Sequence, residues 1–195
     1  MPKRAGWIER FLLAIGLAAI GYCAAMFLYA RWSQDLAERS LELELQTVRH
    51  RTPVLPTQEG SVMGRIEIPS IDFSAMIFEG SDDWVLRRGV GHVPKTAQPG
   101  RPGNVALTGH RDTFFRPLER ISSQDEIILT TPTGRYRYRV ERTRVVSPND
   151  VSVLEPSSGA KLTLITCYPF HFVGPAPKRF IVQAHLVNAN AVPSP

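Results

Sequence analysis

At 195 residues and 43% hydrophobic content, the chain can build one domain of about 100–150 residues with its own core, plus appendages. Its formal net charge of +5 suits an anionic partner. The arginines are scattered, though, with no zinc finger, recognition helix or RNP-like motif, so the balance fits an anionic cell envelope and no nucleic acid.

Residues 1–10 carry Lys3, Arg4 and Arg10 against Glu9. Residues 11–30, FLLAIGLAAIGYCAAMFLYA, contain no charge. As a helix they span about 30 Å, one hydrocarbon core. Trp7, Tyr29 and Trp32 lie near the ends, where aromatic residues favour the membrane interface. The basic flank predicts a cytoplasmic N-terminus and an exported remainder, at the cell membrane in a single pass. The run is longer than the apolar part of a signal peptide, and Tyr22 before Cys23 argues against a lipoprotein signal. An uncleaved anchor is therefore the expectation.

Residues 31–60 are expected to be a helical stalk and a linker. Leu36, Leu41, Leu45 and Val48 make a rough stripe, LELEL also alternates like a strand, and Pro53 and Pro56 mark the linker. Residues 61–187 form the expected folded domain, and 188–195 a disordered tail. Within the domain, GRIEIP and FSAMIF read as short strands. Trp84 and Leu86 suggest a short helix, and GVGHVPKTAQPGRPGN reads as a loop. Asn104–Gly109 is a strand ending at His110, and a short helix is expected within Arg111–Leu118. Glu126–Thr130, Tyr136–Val140 and Arg142–Val146 are further strands. Many short strands between turn signals indicate a barrel or sandwich.

The final part, KLTLITCYPFHFVGPAPKRFIV, reads as strand, abrupt stop at Pro169, loop, and second strand. Alternate strand residues face opposite sides. Val105 and Leu107, Leu162 and Leu164, and Phe180, Val182, Ala184 and Leu186 make the apolar faces. His110, Cys167 and Arg179 then fall on the outer face, each at a strand end. A thiol can attack as thiolate, an imidazole can move its proton, and a guanidinium offers fixed donors to a developing oxyanion. The set suffices for acyl transfer through a thioester.

Other residues read differently. Cys23, in the apolar segment, cannot pair with Cys167. No Cys/His spacing resembles a zinc site and no acidic loop an EF-hand, so no metal and no cofactor is expected. His92 reads as structural, His171 as a rim residue and His185 as a surface residue. Asp112 reads as a helix N-cap.

At these motifs the chain resembles the sortase family. TLITC matches the TLxTC signature with Cys167 as its cysteine. GNVALTGHRDTFF matches the segment carrying the family's histidine, His110 here, and PKRFIV that carrying its arginine, Arg179. GRIEIPSI and GHVPKTAQPG are also similar, and the CYPFxFxGxAPxRFIV context is most like class D. The resemblance covers about Gly64 to Leu186. It implies an all-β fold, a closed eight-stranded sortase-type β-barrel with short helices, mostly antiparallel and preceded by the transmembrane helix. It implies a cysteine transpeptidase whose partners are secreted proteins with a C-terminal LPXTG-like sorting signal and an amine acceptor of the cell envelope. Cys167 would be the nucleophile, His110 the acid/base, and Arg179 the ligand of substrate carbonyls or oxyanion; Thr166 would help hold substrate. The S-x-G-C context of L,D-transpeptidases is absent, and papain-like enzymes place cysteine before histidine. The remaining alternative is a non-catalytic membrane-anchored peptide-binding barrel.

Overall fold

The computed structural model describes residues 5–47 and 58–191. Of the expected linker, residues 51–57 lie outside the described residues, as do residues 1–4 and 192–195. The apolar N-terminal run and the stalk as far as Thr47 form one helix, α1, Ala5–Thr47, and residues 48–50 of the expected stalk lie outside the described residues. LELEL is helical despite its alternation. The stretch Arg10–Tyr29 is long and apolar enough to cross a membrane, and none of it is buried. Past it, Gln34 accepts a hydrogen bond from the Met76 backbone N–H (2.7 Å) and donates to the Arg88 carbonyl.

The barrel strands are β1 (Val62–Ile68), β2 (Phe73–Glu79), β3 (Val90–His92), β4 (Gly103–Thr108), β5 (Glu126–Thr131), β6 (Gly134–Val146), β7 (Ala160–Tyr168) and β8 (Lys178–Ala191). They close in the order β1-β2-β3-β4-β7-β8-β6-β5. The expected closed eight-stranded barrel is thus present. β2–β3 and β4–β7 are the parallel neighbours, and the other pairs are antiparallel. Short helices fill the connections: α2 (Asp83–Leu86) and 3₁₀ turns at Pro69–Ile71, Arg116–Arg120 and Val151–Leu154.

Side-chain alternation explains the core. Val105, Leu107, Leu162, Leu164, Val182 and Ala184 are fully buried in one cluster, with Phe180 and Leu186 packed against it. Each fully buried large aliphatic side chain contributes about 1.5–3 kcal/mol relative to an exposed one. Tyr138 also lies in this interior, and burial pushes its phenol up to about 12.

Four local expectations change. β3 lies inside the stretch read as a loop; its three residues pair with β2, and Gly91 and His92 also pair with β4. The two strands expected at 136–140 and 142–146 are one, β6, whose register against β8 shifts between Arg137/Tyr138 and Val140/Arg142. Such shifts let a long strand bend around a barrel without ending. The tail expected from residue 188 is strand as far as Ala191: Asn188, Ala189, Asn190 and Ala191 pair with Arg137, Tyr136, Arg135 and Gly134. Asp112 caps no helix. Residues 111–115 are turn, the 3₁₀ turn starts later with Phe115 as its N-cap, and the Asp112 carboxylate accepts from Arg111 Nε (3.2 Å).

Candidate active site

β4 and β7 run parallel, with Val105 beside Leu162 and Thr108 beside Ile165. Parallel neighbours end at the same rim. The pairing continues past β4, because the Gly109 N–H donates to the Ile165 carbonyl (3.2 Å) and the Thr166 hydroxyl donates to the Gly109 carbonyl (2.8 Å). Gly109 is thereby fixed to β7 through both of its backbone polar groups. A Cβ there would meet the Phe115 ring at 2.9 Å, so that buried ring can pack only on a glycine. His110 follows, at the level of Cys167, and its carbonyl accepts from the Phe115 N–H (3.0 Å).

β8 runs antiparallel to β7 in an unbroken register, with Cys167 directly opposite Arg179. One rim therefore collects the end of β4, the end of β7 and the start of β8. Cys167 is a free, half-buried thiol. The His110 side chain is 39% exposed, with Nε2 3.6 Å from Asp83 Oδ1 on α2. Arg179 Nη1 donates to the carbonyls of Ala176 (3.2 Å) and Lys178 (3.0 Å), which turns its head back over the β7–β8 connection. Thr166, expected to touch substrate, is buried, and its hydroxyl is used on Gly109. That contact places it behind the turn that presents His110.

The other histidines are engaged elsewhere. His92 is buried; its Nδ1 lies 3.0 Å from both carboxylate oxygens of Glu79, and its Nε2 meets the Ala97 carbonyl (3.1 Å) and Thr96 Oγ1 (3.0 Å). His171 is exposed on the β7–β8 connection; its Nδ1 accepts from Arg116 and its Nε2 donates to Glu119, both at 2.8 Å. His185 pairs with Glu141 at the surface. Among the described residues, no three His, Cys, Asp or Glu side chains gather in a way that could hold a metal ion.

Sequence reasoning missed Asp83, Arg111 and Arg116. Asp83 lies far from His110 in sequence and reaches it only through the β2–β3 connection. Arg111 directly follows His110 in the sequence, and only the fold shows that it is buried.

A barrel rim that brings a thiol, an imidazole and a guanidinium to adjacent strand ends has the layout of a cysteine acyltransferase. Comparison with known proteins gives the family. The sortase domain model matches residues 66–187. Sortase D of Bacillus subtilis (strain 168) is 31% identical over 92% of this chain and 98% of its own length. The structure of a Clostridium perfringens Sortase D5 transpeptidase superposes with a TM-score of 0.66 at 28% identity, covering 81% of this chain and 98% of that one. Sortase E1 from Streptomyces coelicolor, solved with a tripeptide in its active site, gives a TM-score of 0.61 at 29% identity, covering 68% and 91%. The chain belongs to the sortase family, and it is a cysteine transpeptidase.

Proposed function

We propose that this sortase is anchored by α1 with its barrel outside the cytoplasm, and that it cleaves an LPXTG-like sorting signal and transfers the acyl part to an amine of the cell envelope. The observation that carries this reading is the register: Cys167 faces Arg179 across β7–β8, and the parallel β4 delivers His110 to the same rim. The tripeptide in the active site of the Streptomyces coelicolor relative supports a peptide substrate.

In the first half-reaction Cys167 Sγ attacks the carbonyl carbon of the signal's threonine. The S–C bond forms, the peptide C–N bond breaks, and the thiol's proton passes through His110 to the leaving amine. Arg179 donates to the carbonyl oxygen as it gains charge, or to a neighbouring substrate carbonyl, after exchanging its present contacts with Ala176 and Lys178. In the second half-reaction the acceptor amine attacks the thioester, its proton goes to His110, and the thiol is regenerated. Thr166 contributes by holding Gly109, and with it the turn to His110.

The test is intact-mass and peptide-level spectrometry after incubation with a pool of sorting-signal peptides. An acyl adduct should form on the peptide containing Cys167 and be absent from Cys167→Ala. A folded wild-type protein that acquires no adduct from any peptide in the pool overturns the reading. Orientation is tested separately: protease added to intact spheroplasts should degrade the barrel and spare a cytoplasmic control.

A further inference from the structure

The connection between β7 and β8 separates Cys167 from Arg179, and two arginines from the segment after His110 hold it. Arg111 is 6% exposed. Its Nη1 donates to the Pro169 carbonyl (2.9 Å), and its Nη2 donates to the carbonyls of Phe172 (2.6 Å) and Gly174 (3.1 Å). Its Nε donates to the Asp112 carboxylate (3.2 Å), and its cation lies 5.8 Å from the centroid of the Phe172 ring. One planar group thus gathers three carbonyls from the residues between the nucleophile and the arginine opposite it. Arg116 adds a fourth, the Phe170 carbonyl (2.9 Å), and also binds His171.

Burying a guanidinium costs several kcal/mol unless its donors are matched. The carbonyls of an ordinary loop could be satisfied by water, so the fold does not need this arrangement to meet their hydrogen-bonding demand. What the arrangement does is join the residue after His110 to the loop whose two ends carry Cys167 and Arg179. A lysine could not reproduce it, because an ammonium is a point charge and the three carbonyls are spread across a fork.

We propose that Arg111 is a positioning residue of the transpeptidase reaction: its guanidinium fixes the β7–β8 connection to the His110 turn, and so sets Cys167, His110 and Arg179 in mutual register. Misplacement by about 1 Å of groups that act together costs on the order of 10²-fold in rate, so the loss is expected in kcat more than in KM. The peptide readout rests on the sorting-signal reading above, whereas the loop readout does not.

The experiment compares Arg111→Lys and Arg111→Gln with wild type, as full chains in detergent, with Arg120→Lys as control. Arg120 comes from the same segment but donates to the Ile71 carbonyl, away from the loop. Hydrogen exchange is followed at the amides of residues 170–174 and of Ala176, together with kcat and KM on the peptide that acylates the wild type. Folded Arg111 variants should exchange those amides at least tenfold faster and lose 10- to 100-fold in kcat with KM changed less than about threefold. Arg120→Lys should match wild type in both. Variants that melt earlier but keep wild-type loop exchange and kcat overturn the proposal, since Arg111 is then only a fold residue. Failure of both variants to fold overturns it in the same way. If the wild type turns over no sorting peptide, the substrate reading fails, while loop exchange still decides the clamp.

Discussion

His92 ends β3 and His110 follows the end of β4, its antiparallel neighbour, and each faces a carboxylate. His92 sits in a closed pocket with both ring nitrogens bonded, its side chain 1% exposed beside Glu79. His110 sits on the open rim, with Asp83 at the looser distance of 3.6 Å. The difference separates two kinds of work. A histidine whose nitrogens are both committed inside the protein holds strands together and has no valence left for a substrate. A histidine at a strand end, fixed through its backbone but lightly held at its ring, can exchange a proton with something that arrives. His171 resembles His92 in this respect although it is exposed, because Arg116 and Glu119 occupy both its nitrogens.

The sharpest way to break this contrast is to remove each ring in turn. His110→Ala should lower turnover by about 10²–10⁴, the usual contribution of a general acid/base, with little change in melting temperature. His171→Ala should stay within a few-fold of wild type on the same peptide-release assay. Equal losses for the two would end the distinction. His92→Ala should show the reverse pattern: Glu79 is left buried without its hydrogen-bond partner, and stability should fall by about 1–3 kcal/mol in urea titrations, with kcat of the folded fraction retained.

Tyr138 extends the comparison to the interior. Its folded pKa, raised to about 12, exceeds the ordinary value near 10, so the folded state keeps a proton that the unfolded state loses. Its stabilising contribution is complete below about pH 10 and fades as pH rises towards 12, by about 2–3 kcal/mol at 1.36 kcal/mol per unit. Tyr138→Phe should flatten that alkaline loss, read from stability curves between pH 9 and 12, and leave turnover at neutral pH near wild type. Asp83→Asn should give the smallest effect, less than about fivefold in kcat/KM, because exposed pairs are worth about 0–1 kcal/mol. A much larger loss would place Asp83 among the groups that act in the reaction.

Much of this was legible in the sequence where strand alternation was undisturbed. Val105 and Leu107, Leu162 and Leu164, and Val182 and Ala184 face the core as their spacing predicts, because the β4–β7 and β7–β8 registers contain no shift. The same unbroken registers bring Cys167, His110 and Arg179 to one rim. Elsewhere the signal was weaker than the fold. β3 is a strand through its neighbours' hydrogen bonds, not through the propensity of Val-Gly-His. β6 alternates cleanly from Gly134 to Val140 and is then mostly exposed beyond the register shift at Val140/Arg142, so it read as two pieces. The strand at Asn188–Ala191 is made by pairing to β6, with residues of low strand preference. Arg111 and Arg116 escaped because their partners are mainly backbone carbonyls, which leave no complementary side chain to read. Thr166, which the family resemblance implied would help hold substrate, has the parity of Leu162 and Leu164, and its hydroxyl is bonded to the Gly109 carbonyl.

The strand order also governs when this site comes into being. β8 is inserted between β7 and β6, pairing with both, so the barrel stays open until residues 178–191 have been made. The β4–β7 contact likewise joins segments far apart along the chain, and contacts of that kind form late and slowly in folding. During synthesis Cys167 therefore emerges before the strand that carries Arg179, while its pairing with the β4 end that carries His110 needs no part of β8. An unfinished chain holds the thiol on an unclosed sheet without the guanidinium, and all three groups meet only when the C-terminal strand docks.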